Sequence, residues 1–435
     1  MTRKAEAQIC SLRWRRHAVV LALLAACVAC REPVAPAPVP TISVAVIRTA
    51  DWFAYRNQGG DWTPLAPGPS GYEFLATPTV AIASAINRAG MDVGLRVEYL
   101  TAAELLQESA RSRVPTPQYT GSASGVARGI PPGPYWAYIG HGPNMGNVTG
   151  AGATNITFSL PTWSAPMDLV ATLVSSADSS REITTGQRAI LRRAQQLSPG
   201  STVDLQFDGP EAFPLGTATL AWTGPELGIE VQFISGTGSR ALLSRVQGTS
   251  SAKAVVPRTR VVARMPTERS APSDLYQLSF GDYSSNAQRV TTRWTHALVD
   301  TVLDLGRAPA PPTITVESSG GDRRPQFVVP TPAEYGDFVS AVAEQKGAIP
   351  GTPYIGTLRR IRVGMSKGYV GGTRDVWTLE VPDLRRVAGF PSAVLLVPGG
   401  FSWSLEMRGC NCSRFDNSIF DGKISRYQIV SDTMP

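Results

Sequence analysis

The feature that most constrains this chain is a period of two. Leu95-Arg-Val97-Glu-Tyr99 alternates apolar with charged residues, and Ile229-Glu-Val231-Gln-Phe233 and Ile361-Arg-Val363 show the same alternation. Successive side chains of a strand point to opposite faces, so the pattern specifies a sheet with one buried side. Helical periodicity is scarce. Val, Ile, Tyr, Trp and Thr dominate the short runs, and Gly, Pro and Ser/Thr clusters interrupt them roughly every ten residues, the rhythm of antiparallel sandwiches. Only 17% of the 435 residues are charged, which excludes a solvated coiled coil and a charge-driven disordered chain. The expected fold class is all-β: tandem antiparallel β-sandwich domains.

Punctuation divides the chain after residue 40 into four blocks. The first, 41–113, opens on Trp52-Phe-Ala-Tyr55 and Trp62, two aromatic segments around a Gly59-Gly60-Asp61 turn that predicts a hairpin. It closes on Thr101-Ala-Ala-Glu104, a capping box that predicts one short helix. Val114-Pro-Thr-Pro117 and Gly121-Ser-Ala-Ser-Gly125 read as a linker to a block at 126–213. There Gln187–Ala194 has helix-forming composition but is read as a strand. A third block spans 214–310, and Ala308-Pro-Ala-Pro-Pro-Thr313 leads into the last, 311–435. In that block Pro330-Thr-Pro-Ala-Glu334 is a possible helix start. No strict sequence repeat relates the blocks.

The first 40 residues read as an address. Arg3, Lys4, Arg13, Arg15 and Arg16 precede the apolar run Ala18–Ala29, the layout of a secretory signal too short to span a bilayer. Arg31-Glu-Pro-Val-Ala-Pro-Ala-Pro-Val-Pro40 is an extended Pro-rich spacer. Residues 1–26 hold five positive charges and one negative, so their removal takes the formal charge from +7 to +3. A near-neutral chain gives no case for nucleic-acid binding by bulk charge.

Leu24-Ala-Ala-Cys27 resembles the lipobox of bacterial lipoproteins. The resemblance implies a signal peptide over 1–26 and a lipidated Cys27, with Cys30 the second candidate. It makes the membrane a partner through the N-terminal lipid, and Val28 after the Cys points to the outer membrane. The hairpin 52–62, the Pro-Gly segment 130–134 and Asp168-Leu-Val-Ala171 extend the likeness. So does Gly368-Tyr-Val-Gly-Gly372 followed by Val381-Pro-Asp-Leu384. Together they are similar to large bacterial lipoproteins of several immunoglobulin-like β-sandwich modules. That implies a fold and a compartment; it carries over no activity and no catalytic residue.

Motifs for chemistry are sparse. After the signal the chain has His141, in a Gly-His-Gly turn, and His296, on a strand, and neither has a local second ligand or nucleophile. No nucleophile elbow, zinc-protease helix or phosphate loop is present, and no cofactor or metal is expected. Paired carboxylates could form a glycosidase dyad, but nothing marks which ones. Cys410-Asn411-Cys412 is the unusual constellation. Outside the cytosol two thiols favour a disulfide, and a bridge between residues two apart is strained and reducible, hence a possible redox pair. Pairing with Cys30, an intermolecular bond and a buried thiol pair stay open. The Gly368–Gly372 segment is read as a hairpin turn, since a strand rather than a helix follows it.

Binding candidates are the aromatics Trp52, Phe53, Tyr55 and Trp62. Phe53 and Tyr55 share a strand face with Trp52 opposite, so one set packs in a core and the other could stack on sugar rings. Arg360 and Arg362 share another face that is solvated or attracts anionic polysaccharide. The function expected is a non-catalytic cell-envelope lipoprotein, a structural or interaction module with a protein or glycan partner. The alternative is a carbohydrate-binding or carbohydrate-active surface protein.

Overall fold

The same strand order is built four times along the chain. In each quarter the first strand belongs to a small sheet, the next two form a hairpin in a large sheet, and the fourth returns to pair antiparallel with the first. The fifth and sixth go back to the large sheet, where the fifth pairs with the second. The first quarter uses Ile42–Val46, Trp52–Asn57, Thr63–Pro64, Tyr72–Ala76, Thr79–Ile86 and Gly94–Thr101. The second uses Tyr119–Arg128, Tyr135–His141, Val148–Thr149, Ile156–Trp163, Met167–Ser176 and Ile183–Gln195. The third uses Gly216–Gly224, Gly228–Ile234, Arg240–Val246, Val256–Arg264, Leu275–Asp282 and Ala287–Thr295. The fourth uses Asp322–Pro330, Phe338–Ala348, Ile355–Ser366, Val376–Glu380, Phe401–Cys410 and Ile424–Met434.

This computed structural model describes residues 40–87, 93–111, 117–143, 148–149, 153–176, 183–224, 226–247, 256–283, 287–319, 321–348, 355–412 and 420–434. The expected signal peptide 1–26, the expected lipidation candidates Cys27 and Cys30, and the expected spacer through residue 39 lie outside the described residues.

The quarters fuse edge to edge. Ile183–Gln195 pairs antiparallel with Arg240–Val246, Ala287–Thr295 pairs antiparallel with Ile424–Met434, and Ile355–Ser366 runs parallel to Gly94–Thr101. One sheet of 17 strands therefore runs through all four, in the spatial order first, fourth, third, second. Residues 42–435 form a single compact unit.

Each quarter has a core between its two sheets. Val44, Phe74, Ile82 and Leu100 fill the first, and Ile139, Phe158, Leu173 and Leu205 the second. Leu220, Val231, Phe233 and Val262 fill the third, and Phe327, Val339, Trp377 and Leu405 the fourth. Each large side chain so buried contributes about 1.5–3 kcal/mol relative to exposure. The back of the first quarter's sheet is buried too. Ala81, Ala83, Ala85, Val97 and Tyr99 join the fourth quarter's core. That is why Thr79–Ile86 is buried at six consecutive positions, as a strand covered on both faces must be. Val170 and Ala189 of the second quarter enter the third quarter's core in the same way.

The all-β class holds. Among the described residues there is one α-helix, Ala102–Arg111, and it begins at the capping box. The Thr101 N–H donates to Glu104 Oε2 at 2.8 Å, and the Glu104 N–H donates to Thr101 Oγ1 at 3.2 Å. Gln187–Ala194 lies inside the strand Ile183–Gln195. Pro330–Glu334 opens no α-helix; a single 3-10 turn, Ala333–Tyr335, ends at Gly336 because the next strand starts at Phe338.

An ion triad of two buried carboxylates and a partly exposed arginine pins the second quarter to the third. Arg193 Nη1 lies 3.0 Å from Asp168 Oδ2 and 2.8 Å from Asp274 Oδ1, and Nη2 lies 2.5 Å from Asp274 Oδ2. Asp274 also accepts from the N–H of Gly236 at 2.9 Å and of Ala271 at 2.7 Å. The Ala194 N–H donates to Asp168 at 2.8 Å, from a residue held at φ 48°. Hydrogen bonds to Asp274 and then to Asp168 hold the Arg193 pKa above its usual value against the cost of desolvation. Replacing Arg193 with Ala leaves two carboxylates, 3% and 2% exposed, without a cation. The expected cost is about 3 kcal/mol in urea unfolding. A loss below about 1 kcal/mol would show that the triad behaves as a surface ion pair.

Candidate functional site at the Cys410–Cys412 bridge

The site begins with a glycine. Gly409 is the penultimate residue of its strand, and a Cβ there would stand 1.8 Å from the Glu334 carbonyl oxygen. Only a bare Cα lets the strand lie directly on the 3-10 turn Ala333–Tyr335. That close approach sets the residues after the turn. The Asp337 N–H donates to the Arg408 carbonyl at 3.0 Å, and Asp337 Oδ2 accepts the Cys410 N–H at 2.5 Å. Asp337 Oδ1 also lies 3.5 Å from Lys367 Nζ.

Past this anchor the chain turns through Cys410-Asn411-Cys412. The two cysteines form a disulfide with Cα atoms 5.0 Å apart, inside the usual range. Asn411 holds the turn from the other side. Its backbone N–H donates to the Ile424 carbonyl at 3.2 Å, its Nδ2 donates to the Gly422 carbonyl at 2.8 Å, and its Oδ1 accepts from the Ile424 N–H at 2.8 Å. A disulfide closing so small a ring adds only about 1.5 kcal/mol by chain entropy, half of what a 15-residue loop gives.

The bridge forms one wall of a cavity of about 710 Å³. Glu104, Asp337, Lys367 and three glycines, Gly368, Gly371 and Gly372, line the rest. Three features that stand far apart in the sequence thus meet: the capping box, the glycine turn and the cysteine pair. Glu104 links two of them, since its Oε2 also accepts the Ser366 hydroxyl at 2.6 Å just before the glycine turn. The turn closes through the Gly372 N–H to the Lys367 carbonyl at 3.1 Å. Asp337 and Lys367 carry no motif of their own, and sequence reading missed them. The one local hint is Gly409.

The other expected residues go elsewhere. The hairpin 52–62 forms, with Ala54 opposite Pro64 and Tyr55 opposite Thr63. Of its aromatics Trp52 and Phe53 are buried, which removes these two from the sugar-stacking expectation, while Tyr55 and Trp62 are half-buried. Trp52 is 8% exposed, packs edge-on against Phe390 at 5.1 Å and donates its Nε1–H to the Ala388 carbonyl. Phe53 is 1% exposed and stacks on Tyr72 at 4.2 Å. Tyr55 stacks on Phe74 at 4.3 Å, and half-buried Trp62 lies under the Arg56 guanidinium. The missed signal is Tyr72-Glu-Phe74, whose alternation marks the strand that covers this face.

Arg360 and Arg362 do share a face, but each has a carboxylate. Arg360 Nε is 2.6 Å from Glu344, and Arg362 is 3.7 Å from Glu406, which also holds Arg408 at 2.6 Å. His141 closes its strand with Nδ1 2.8 Å from the Pro161 carbonyl and Nε2 3.3 Å from that of Gln195. His296 falls just after its strand, with Nδ1 2.7 Å from the Asp274 carbonyl. Both imidazoles are thus occupied with backbone oxygens.

Gly409→Ala tests how the site is built. The added methyl meets backbone rather than a flexible side chain, so the expected loss is more than about 2 kcal/mol in denaturant unfolding. A variant as stable as the parent would show that the strand does not rest on the Ala333–Tyr335 turn. No protein-family model matches the chain and no curated protein matches it significantly, so the site stands on its own geometry.

Proposed function

We propose that the chain is an exported, lipid-anchored, non-catalytic protein of the cell envelope that acts as a rigid structural or interaction module. The observation that carries this reading is the continuity of one sheet through four sandwiches. Backbone hydrogen bonds, rather than free linkers, join the quarters, so the body offers no hinge at its seams. A rigid body behind an extended Pro-rich spacer suits a protein that presents a fixed surface at a distance from a membrane. The disulfide supports export, because such bonds persist in oxidising compartments. The lipobox-like Leu24-Ala-Ala-Cys27 supports anchoring, with Val28 favouring the outer membrane. The glycan-binding alternative leaned on the 52–62 aromatics, and with Trp52 and Phe53 inside cores it loses those two.

Expression in a diderm bacterium, with mass spectrometry of the N-terminal peptide, tests the anchor. The expected mature chain begins at an acylated Cys27 and fractionates with the outer membrane. Cys27→Ser should leave the precursor unprocessed, whereas Cys30→Ser should not. An unlipidated, unprocessed parent chain would overturn the anchored reading, and robust hydrolase turnover by the purified protein would overturn the non-catalytic one.

A further inference from the structure

We propose that the Cys410–Cys412 bridge is a thiol–disulfide exchange site that takes two electrons from a dithiol segment of another envelope protein. Four observations meet there. The bridge is reachable, since both cysteines are only half-buried and face a cavity of about 710 Å³. The turn does not need it: Asp337 holds Cys410, and Asn411 makes three hydrogen bonds to Gly422 and Ile424. A bond that contributes little as a staple and is open to solvent is free to exchange.

Lys367 lines the same cavity with Glu104 and Asp337, its ammonium 3.5 Å from Asp337, and this cation offsets carboxylates that would otherwise oppose the thiolate form of a sulfur. Glycines line another part of the cavity. Added Cβ atoms at Gly371 and Gly372 would have nothing within 4 Å, so an extended peptide can approach there without meeting a side chain. A cavity of this size with a bare backbone wall fits a peptide segment better than a small thiol.

The exchange balances in two steps. A partner thiolate attacks one sulfur of the bridge, the Cys410–Cys412 bond breaks, and a mixed disulfide forms while the other cysteine leaves as a thiolate and takes up a proton. The partner's second thiol, losing its proton, then attacks the partner's own sulfur in the mixed disulfide; the protein cysteine leaves as a thiolate and takes up a proton, and the partner departs with a disulfide. Two electrons and two protons pass to the cysteine pair, and the partner dithiol is the reductant. The idea draws on the exported location for an oxidising setting. Its test does not depend on the anchor, so the two readings fail separately.

The test uses the full-length chain carrying Cys10→Ser, Cys27→Ser and Cys30→Ser, which leaves two thiols. A synthetic peptide dithiol of the Cys-x-x-Cys type reduces it, and alkylation with mass spectrometry follows the reaction. The folded chain is expected to react at least tenfold faster than the same chain in guanidinium. Lys367→Met should lose most of that gain, and the reduced protein should keep its sheet signal by circular dichroism. Folded exchange no faster than unfolded would overturn the proposal, as would unfolding on reduction. Glutathione reacting as fast as the peptide would overturn the assignment to a protein dithiol.

Discussion

The structure depends on one obligation: a strand's backbone N–H and C=O groups must be paired, and an open sheet edge leaves a row of them exposed. Four separate sandwiches would carry many such edges. This chain removes six edges of its large sheets by hydrogen-bonding quarter to quarter, through Ile183–Gln195 with Arg240–Val246, Ala287–Thr295 with Ile424–Met434, and Ile355–Ser366 with Gly94–Thr101. The strands left at the two ends of the series are Thr63–Pro64 and Val148–Thr149, each two residues long. Short edges, one carrying a proline, give another chain little to pair with.

That obligation decides where the molecule is buried and where it is open. Joining the first quarter to the fourth puts the back of Thr79–Ile86 and Gly94–Thr101 beneath the fourth quarter's core, with Trp52 and Tyr99 tied to the carbonyls of Ala388 and Glu380. The continuation of the same sheet stays solvated, and charge covers it: Arg360 with Glu344, and Arg362 and Arg408 with Glu406. Near the boundary the pairing is deeper. Arg48, 9% exposed at its side chain, bridges Glu98 on the sheet to Glu108 on the helix, and these carboxylates hold its pKa up although burial alone would lower it. Two carboxylates shared among three arginines leave this face only a small positive excess.

What could be read from the sequence was local. Period two gave the strands, and Thr101–Glu104 gave the helix, because both signals lie within a few residues. The parity of Trp52 against Phe53 and Tyr55 was legible too. What covers each face was not, since Phe390 lies more than 300 residues from Trp52. The fourfold strand order was hidden for a related reason. Strand order is a property of pairing, and each quarter fills its core with different residues: alanines and Trp377 in one, Phe233 and Trp222 in another. The cysteine pair stood out, whereas Asp337 and Lys367 did not. They reach it only because Gly409 lets two strand ends close together.

The proposed rigidity and the proposed exchange at the bridge both rest on the sheet. The turn that holds the disulfide sits at the end of Phe401–Cys410, a strand flanked on one side by Phe338–Ala348 and on the other by Ile424–Met434. Neighbours on both sides fix the strand end, and the hydrogen bonds from Asp337 and Asn411 carry that order one residue further on either side of the bridge. A cysteine pair on a loose loop would have to be organised at each encounter, at a cost in conformational entropy. Here the sheet has already set the position of the sulfurs relative to Lys367 and the glycine wall. Pairing between quarters thus removes hinges from the body, and pairing within the fourth quarter pre-arranges the proposed exchange site.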